Sequence, residues 1–67
     1  MDKEFWKAFL RFLDQAKMAE IERKIDETRL FAQKTTSRDI RADANRMIRF
    51  MELELLARSS QRSRKTR

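Results

Sequence analysis

Arg38, Arg41, Asn45 and Arg49 recur at steps of three and four residues, the spacing that gathers side chains on one side of an α-helix. Arginine grips phosphate or the O6/N7 edge of guanine with a forked pair of donors, and asparagine does the same for adenine. The chemistry on offer is therefore recognition of a polyanion, nucleic acid first. A second group of cations follows: Arg58, Arg62, Arg64, Lys65 and Arg67 stand in residues 58–67 with no acid among them. If all five met duplex DNA, log K would fall against log salt with a slope of about −4 to −5. The plainer readings are a wet helix face, diluted by Asp39, Asp43, Glu52 and Glu54, and a solvated end that aids solubility.

Catalytic chemistry is not legible. Glu20, Glu22, Asp26 and Glu27 crowd together, but Lys17, Arg23, Lys24 and Arg29 are interleaved with them, and Glu20 and Lys24 form a favourable i,i+4 pair. The cluster reads as a solvated face. The chain has no histidine, no cysteine and no glycine, so it offers no imidazole base, no thiolate nucleophile or ligand and no glycine-rich phosphate loop. A non-enzymatic protein is expected, with no cofactor and no metal site.

The net charge of +6 is unevenly placed. Residues 1–57 hold 12 Lys/Arg against 11 Asp/Glu, a net of +1, and residues 58–67 carry the other +5. No run approaches the ~20 apolar residues that span a bilayer, and the start, Met1-Asp2-Lys3-Glu4, does not read as a secretory signal. The expected compartment is the cytoplasm.

The elements that must carry these groups are helices. Glycine and proline are both absent, so no residue removes a backbone donor or makes a left-handed turn easy. The one plausible break is Lys34-Thr35-Thr36-Ser37, where Thr36 and Asp39 resemble a capping box with Asp in the usual place of Glu. The pattern predicts an all-α fold: an antiparallel two-helix hairpin (residues 1–58) with helices at about 3–33 and 37–58, followed by a basic tail, 59–67, that frays or is disordered.

In the second helix Ile40, Ala44, Met47, Ile48, Met51 and Leu55 share an arc of about 100°, an ordinary core stripe. Phe50, Leu53 and Leu56 lie outside it and make a second apolar surface. The first helix is less regular. Phe5, Phe9, Phe12 and Ala16 form one stripe, with Trp6, Leu10 and Leu13 beside it; Ile21, Ile25, Thr28 and Ala32 form another, rotated by more than a third of a turn. Either the helix bends near Asp14–Met18 or its halves face different partners. With no glycine or proline to ease a kink, different partners are expected.

Helices of ~46 and ~33 Å leave the start of the longer one overhanging. Phe5, Trp6, Phe9, Leu10, Phe12 and Leu13 lie in or beside that overhang and are the expected oligomer or partner interface. A chain of this size without disulfides or metal tends to gain stability by association, so a homodimeric four-helix bundle is expected. In outline such a hairpin resembles the plasmid copy-number regulators of the Rop type, which dimerise into four-helix bundles and bind RNA. The likeness is one of shape and no shared motif carries it. The sequence thus points to a small nucleic-acid-binding regulator, RNA or DNA, acting as a homo-oligomer. The alternative is a protein-interaction module (adaptor, chaperone or inhibitor) docking a target through the aromatic segment. A membrane-surface peptide, with Lys3, Lys7 and Arg11 flanking the Phe stripe, ranks third.

Overall fold

The computed structural model describes residues 2–65, and the side chains of residues 2–59. It is all-helical, with three helices rather than two: α1 (Lys3–Gln15), α2 (Met18–Lys34) and α3 (Arg38–Lys65). None of the described helices is long and apolar enough to cross a membrane.

The long first helix of the sequence reading is thus corrected: it divides at Ala16 and Lys17. Both residues take extended backbone, φ −73° and ψ 150° at Ala16, φ −76° and ψ 159° at Lys17. Extended φ/ψ is open to any L-residue, so the chain reverses without glycine or proline. Side chains secure the break. Arg58 of α3 donates from Nη2 to the carbonyl of Leu13 (2.7 Å) and from Nη1 to that of Ala16 (2.6 Å), filling acceptors that the end of α1 leaves open. On the other side Glu20 Oε1 accepts from the backbone N–H of Lys17 (2.7 Å), the reciprocal half of a capping box. The physical cause is the phase mismatch. The two apolar stripes, more than a third of a turn apart, cannot meet one straight neighbour, and the two-residue break lets both enter one core.

The N-termini of α1 and α3 are capped by short polar side chains. Asp2 accepts from the N–H of Phe5 (2.9 Å) to open α1. Ser37, one residue beyond the expected Thr36, receives the N–H of Ile40 on its Oγ (3.3 Å) to open α3. The turn before it is clasped by Arg41, whose Nε donates to Ala32 (3.2 Å) and Nη2 to Thr35 (2.8 Å), both at carbonyl oxygens.

Direction follows from these contacts. Trp6 meets Phe50 while Ala16 meets Arg58, so α1 runs parallel to the later part of α3. Ala32 meets Arg41 while Arg29 reaches Glu52, so α2 runs antiparallel to α3. Phe9 and Ala16 of the first stripe with Leu13 from beside it, Ile21 and Ile25 of the second, and Ile48 and Met51 of α3 form one buried cluster. Phe5, Trp6, Phe12, Met47 and Leu55 pack against it. Thr28, Ala32 and Ala44 are buried along the α2–α3 seam, with the Thr28 hydroxyl donating to the Lys24 carbonyl (2.7 Å). The aromatic overhang therefore does not exist as such, because α1 folds back and supplies the core. The likeness of outline to a two-helix hairpin lapses with it.

Candidate nucleic-acid interface on the third helix

α3 puts Ala44, Ile48 and Met51 into the core, which turns Arg38, Asn45, Arg46 and Arg49 outward. All four are exposed. Among the described residues neither Arg38 nor Arg49 has an ion-pair partner. Arg46 lies over the indole of Trp6, its Cζ 5.8 Å from the ring centroid. Ala42 stands among these residues and leaves the backbone side of the face shallow; with Asp43, Asn45, Arg46 and Arg49 it borders an open hollow of about 330 Å³.

The other arginines of the expected set have different employment. Arg41 is held by the carbonyls of Ala32 and Thr35, and Arg58 by those of Leu13 and Ala16 and by the Glu54 carboxylate (Nε to Oε2, 2.8 Å). Their donors face the turns of their own chain. Arg62, Arg64 and Lys65 lie on α3 beyond the described side chains, and Arg67 lies outside the described residues. Of the expected binding residues, the structure brings Arg38, Asn45 and Arg49 onto one free face. It adds Arg46, which the sequence reading passed over although it stands three residues before Arg49 and four before Phe50.

The expected partner interface is also redistributed. Phe9 and Leu13 are buried; Phe5, Trp6 and Phe12 are half-buried; only Leu10 is open. The rings interlock: Phe5 and Phe9 lie nearly parallel with centroids 6.3 Å apart, and Trp6 meets Phe9 edge to face at 5.7 Å. The Lys24 ammonium sits 6.0 Å from the Phe12 centroid. One stretch of exposed apolar surface instead runs from Leu10 (50% exposed) to Phe50 (40%), Leu53 (55%) and Leu56 (65%); Leu30, Phe31 and Ile40 are exposed as well. Leu10, Phe50 and Leu53 border one hollow of about 310 Å³ together with Asp14 and Glu54, and Leu53 and Leu56 border another of about 440 Å³ together with Asn45, Arg49 and Glu52, so Leu53 links the two. The sequence had marked Phe50, Leu53 and Leu56 as a second apolar surface, and α1 covers only its near edge.

Two of the four residues of the acidic cluster, Glu20 and Glu27, have local partners. Glu20 caps α2, Glu27 pairs with Lys24 (3.4 Å), and on the α2–α3 flank Glu52 pairs with Arg29 (2.8 Å). The last pair, half-exposed on both sides, bridges the two helices at the surface, where such contacts contribute about 0–1 kcal/mol.

No protein-family model, curated protein or solved structure matches the chain, so the functional reading rests on the geometry above.

Proposed function

We propose that this chain is a small, non-enzymatic helical regulator that binds nucleic acid along the outer face of α3 and acts as a homo-oligomer in the cytoplasm. One observation carries the reading: Arg38, Asn45, Arg46 and Arg49 are exposed on a single face, and Arg38 and Arg49 have no carboxylate partner among the described residues. Two turns in the fold already use arginine to hold carbonyls, so the outward arginines are the ones free for a ligand. The eleven residue steps from Arg38 to Arg49 span ~16 Å of helix, enough to follow several consecutive phosphates. The role is regulatory because the face offers positioning and readout and no reacting group.

Fluorescence anisotropy with short RNA and DNA, single-stranded and duplex, tests it. Binding at about 50 mM salt that weakens steeply towards 200 mM supports the reading. No binding of any of the four at low salt sinks it.

A second reading, the protein-interaction module, is favoured by the strip Leu10–Phe50–Leu53–Leu56. An exposed apolar strip on so small a protein marks an interface. In the first reading the far end of that strip, Leu53 and Leu56, holds a second copy; in the second the whole strip holds a different protein. A monomer by light scattering at high concentration, together with no nucleic-acid binding, would transfer the proposal to the second.

A further inference from the structure

A hollow of about 250 Å³ opens between the first half of α1 and the middle of α3, lined by Trp6, Leu10, Arg46 and Phe50. Its floor is aromatic. Trp6 and Phe50 meet with centroids 6.0 Å apart and planes inclined at 66°. Phe9 lies against both, at 5.7 Å from Trp6 and 6.5 Å from Phe50, and Phe5 abuts Trp6 at 5.7 Å. The buried Phe9 fixes the two outer rings, so the hollow is built on the core. Phe50 nevertheless keeps 40% of its surface open.

This hollow already receives a planar group. The Arg46 guanidinium, flat and delocalised, lies over the indole at 5.8 Å. Drug-sized ligands ask for about 300–1,000 Å³ with most of their surface enclosed. A smaller, open hollow suits one flat ring projecting from a longer molecule. The rim says what that molecule carries. Arg46 lines the hollow, Arg49 borders the adjoining one with Arg46 and Asp43, and Lys3 and Lys7 are exposed on α1 close to Trp6 in sequence. Asp39 and Asp43 lie towards the start of α3, with Arg46 between them and Phe50 in sequence; Asp14 lies beyond Leu10. Flat rings strung on a polyanion describe one ligand class.

We infer that the Trp6–Phe50 hollow is a base-stacking site and that the protein's preferred nucleic acid is single-stranded. An unpaired base stacks on the open face of Phe50 beside Trp6. Arg46 either covers the base as a second plane or leaves the indole for the adjacent phosphate, and Arg49 takes the next one. Duplex bases are already stacked on each other and cannot enter, so duplex is left with the phosphate contacts of α3 alone. This inference rests on the reading of α3 as a nucleic-acid face.

Trp6 is the chain's one tryptophan, so its emission reports the hollow directly. The full chain is titrated with a twelve-nucleotide oligothymidylate, the matching oligouridylate and a duplex of equal length, following both anisotropy and Trp6 fluorescence. Single strands are expected to bind about tenfold tighter than duplex and to quench Trp6. Phe50→Leu keeps the apolar filling and removes the ring; it is expected to cost single strands about tenfold and to leave duplex within twofold. Circular dichroism confirms that the variant is folded, and Arg46→Ala, at an exposed position, gives a second variant with the same expected ordering. Equal affinity for single strand and duplex with Trp6 emission unchanged overturns the inference and leaves the α3 reading standing. No binding of either overturns both. A Trp6 emission shift that tracks protein concentration without nucleic acid assigns the hollow to a second copy and also overturns it.

Discussion

Arg58 caps a helix it does not belong to: its guanidinium holds the carbonyl of Ala16 at 2.6 Å, joining the end of α1 to the body of α3. The same fork reaches Leu13 and Glu54, and the side chain is only 22% exposed. Charge-assisted hydrogen bonds contribute about 1.5–3 kcal/mol each and are not additive within one fork, so Arg58→Ala is expected to cost about 2–4 kcal/mol. For a domain this size that lowers Tm by roughly 10–25 °C. Arg58→Lys, a point charge without a fork, should recover less than half. Thermal melts followed at 222 nm check both; an unchanged Tm in Arg58→Ala would mean that the break at Ala16–Lys17 is held by packing alone.

The two classes of arginine should separate cleanly. Arg41→Ala removes the clasp on Ala32 and Thr35 and is expected to destabilise by about 1–2 kcal/mol. Arg49→Ala removes an exposed side chain with no ion-pair partner among the described residues, so its stability should stay within about ±0.5 kcal/mol of the parent while nucleic-acid affinity falls. Melting both variants and titrating both with the same oligonucleotide settles the division. Equal losses of stability would refute it.

Core and strip residues on α3 should also differ in kind. Met51 is fully buried, so Met51→Ala is expected to cost about 2–5 kcal/mol through lost burial and the cavity left behind. Leu56 is largely exposed in the single chain, and Leu56→Ala should leave the fold's stability at low concentration nearly unchanged.

Leu53 and Leu56 then report association. Paired Leu53→Glu and Leu56→Glu changes put two charges into the strip and are expected to turn a homo-oligomer into a monomer by light scattering with helicity retained. A parent already monomeric at hundreds of micromolar would remove the homo-oligomer from the proposal and leave the strip to a different protein.

Much of the fold could be read from residue spacing. Ile21, Ile25, Thr28 and Ala32 were legible as one buried stripe and are buried; Ala44, Ile48 and Met51 behave likewise, while Ile40, in the first turn of α3, stays partly open. What misled was the inference from missing breakers. Glycine and proline mark breaks that need unusual backbone, whereas Ala16 and Lys17 adopt extended angles that cost any residue little. The rotated stripes did announce a discontinuity, but its resolution depended on Arg58, forty-two residues away from Ala16, and no local pattern reveals such a partner. The site followed the same logic. Arg38, Asn45 and Arg49 were visible from periodicity. That Arg41 and Arg58 are occupied, and that Trp6, Arg46 and Phe50 come together, depends on α1 folding back along α3.

The proposed function stands or falls on the outward arginines of α3 meeting phosphates. It is tested most directly by the salt dependence of single-strand binding for the parent and for Arg38→Ala/Arg49→Ala. Each phosphate contact on a single strand contributes about −0.7 to the slope of log K against log salt, so the double variant should flatten that slope by roughly 1.4 and weaken binding at low salt. A parent that binds while the double variant keeps the same slope and affinity would place the phosphate contacts elsewhere and contradict the claim.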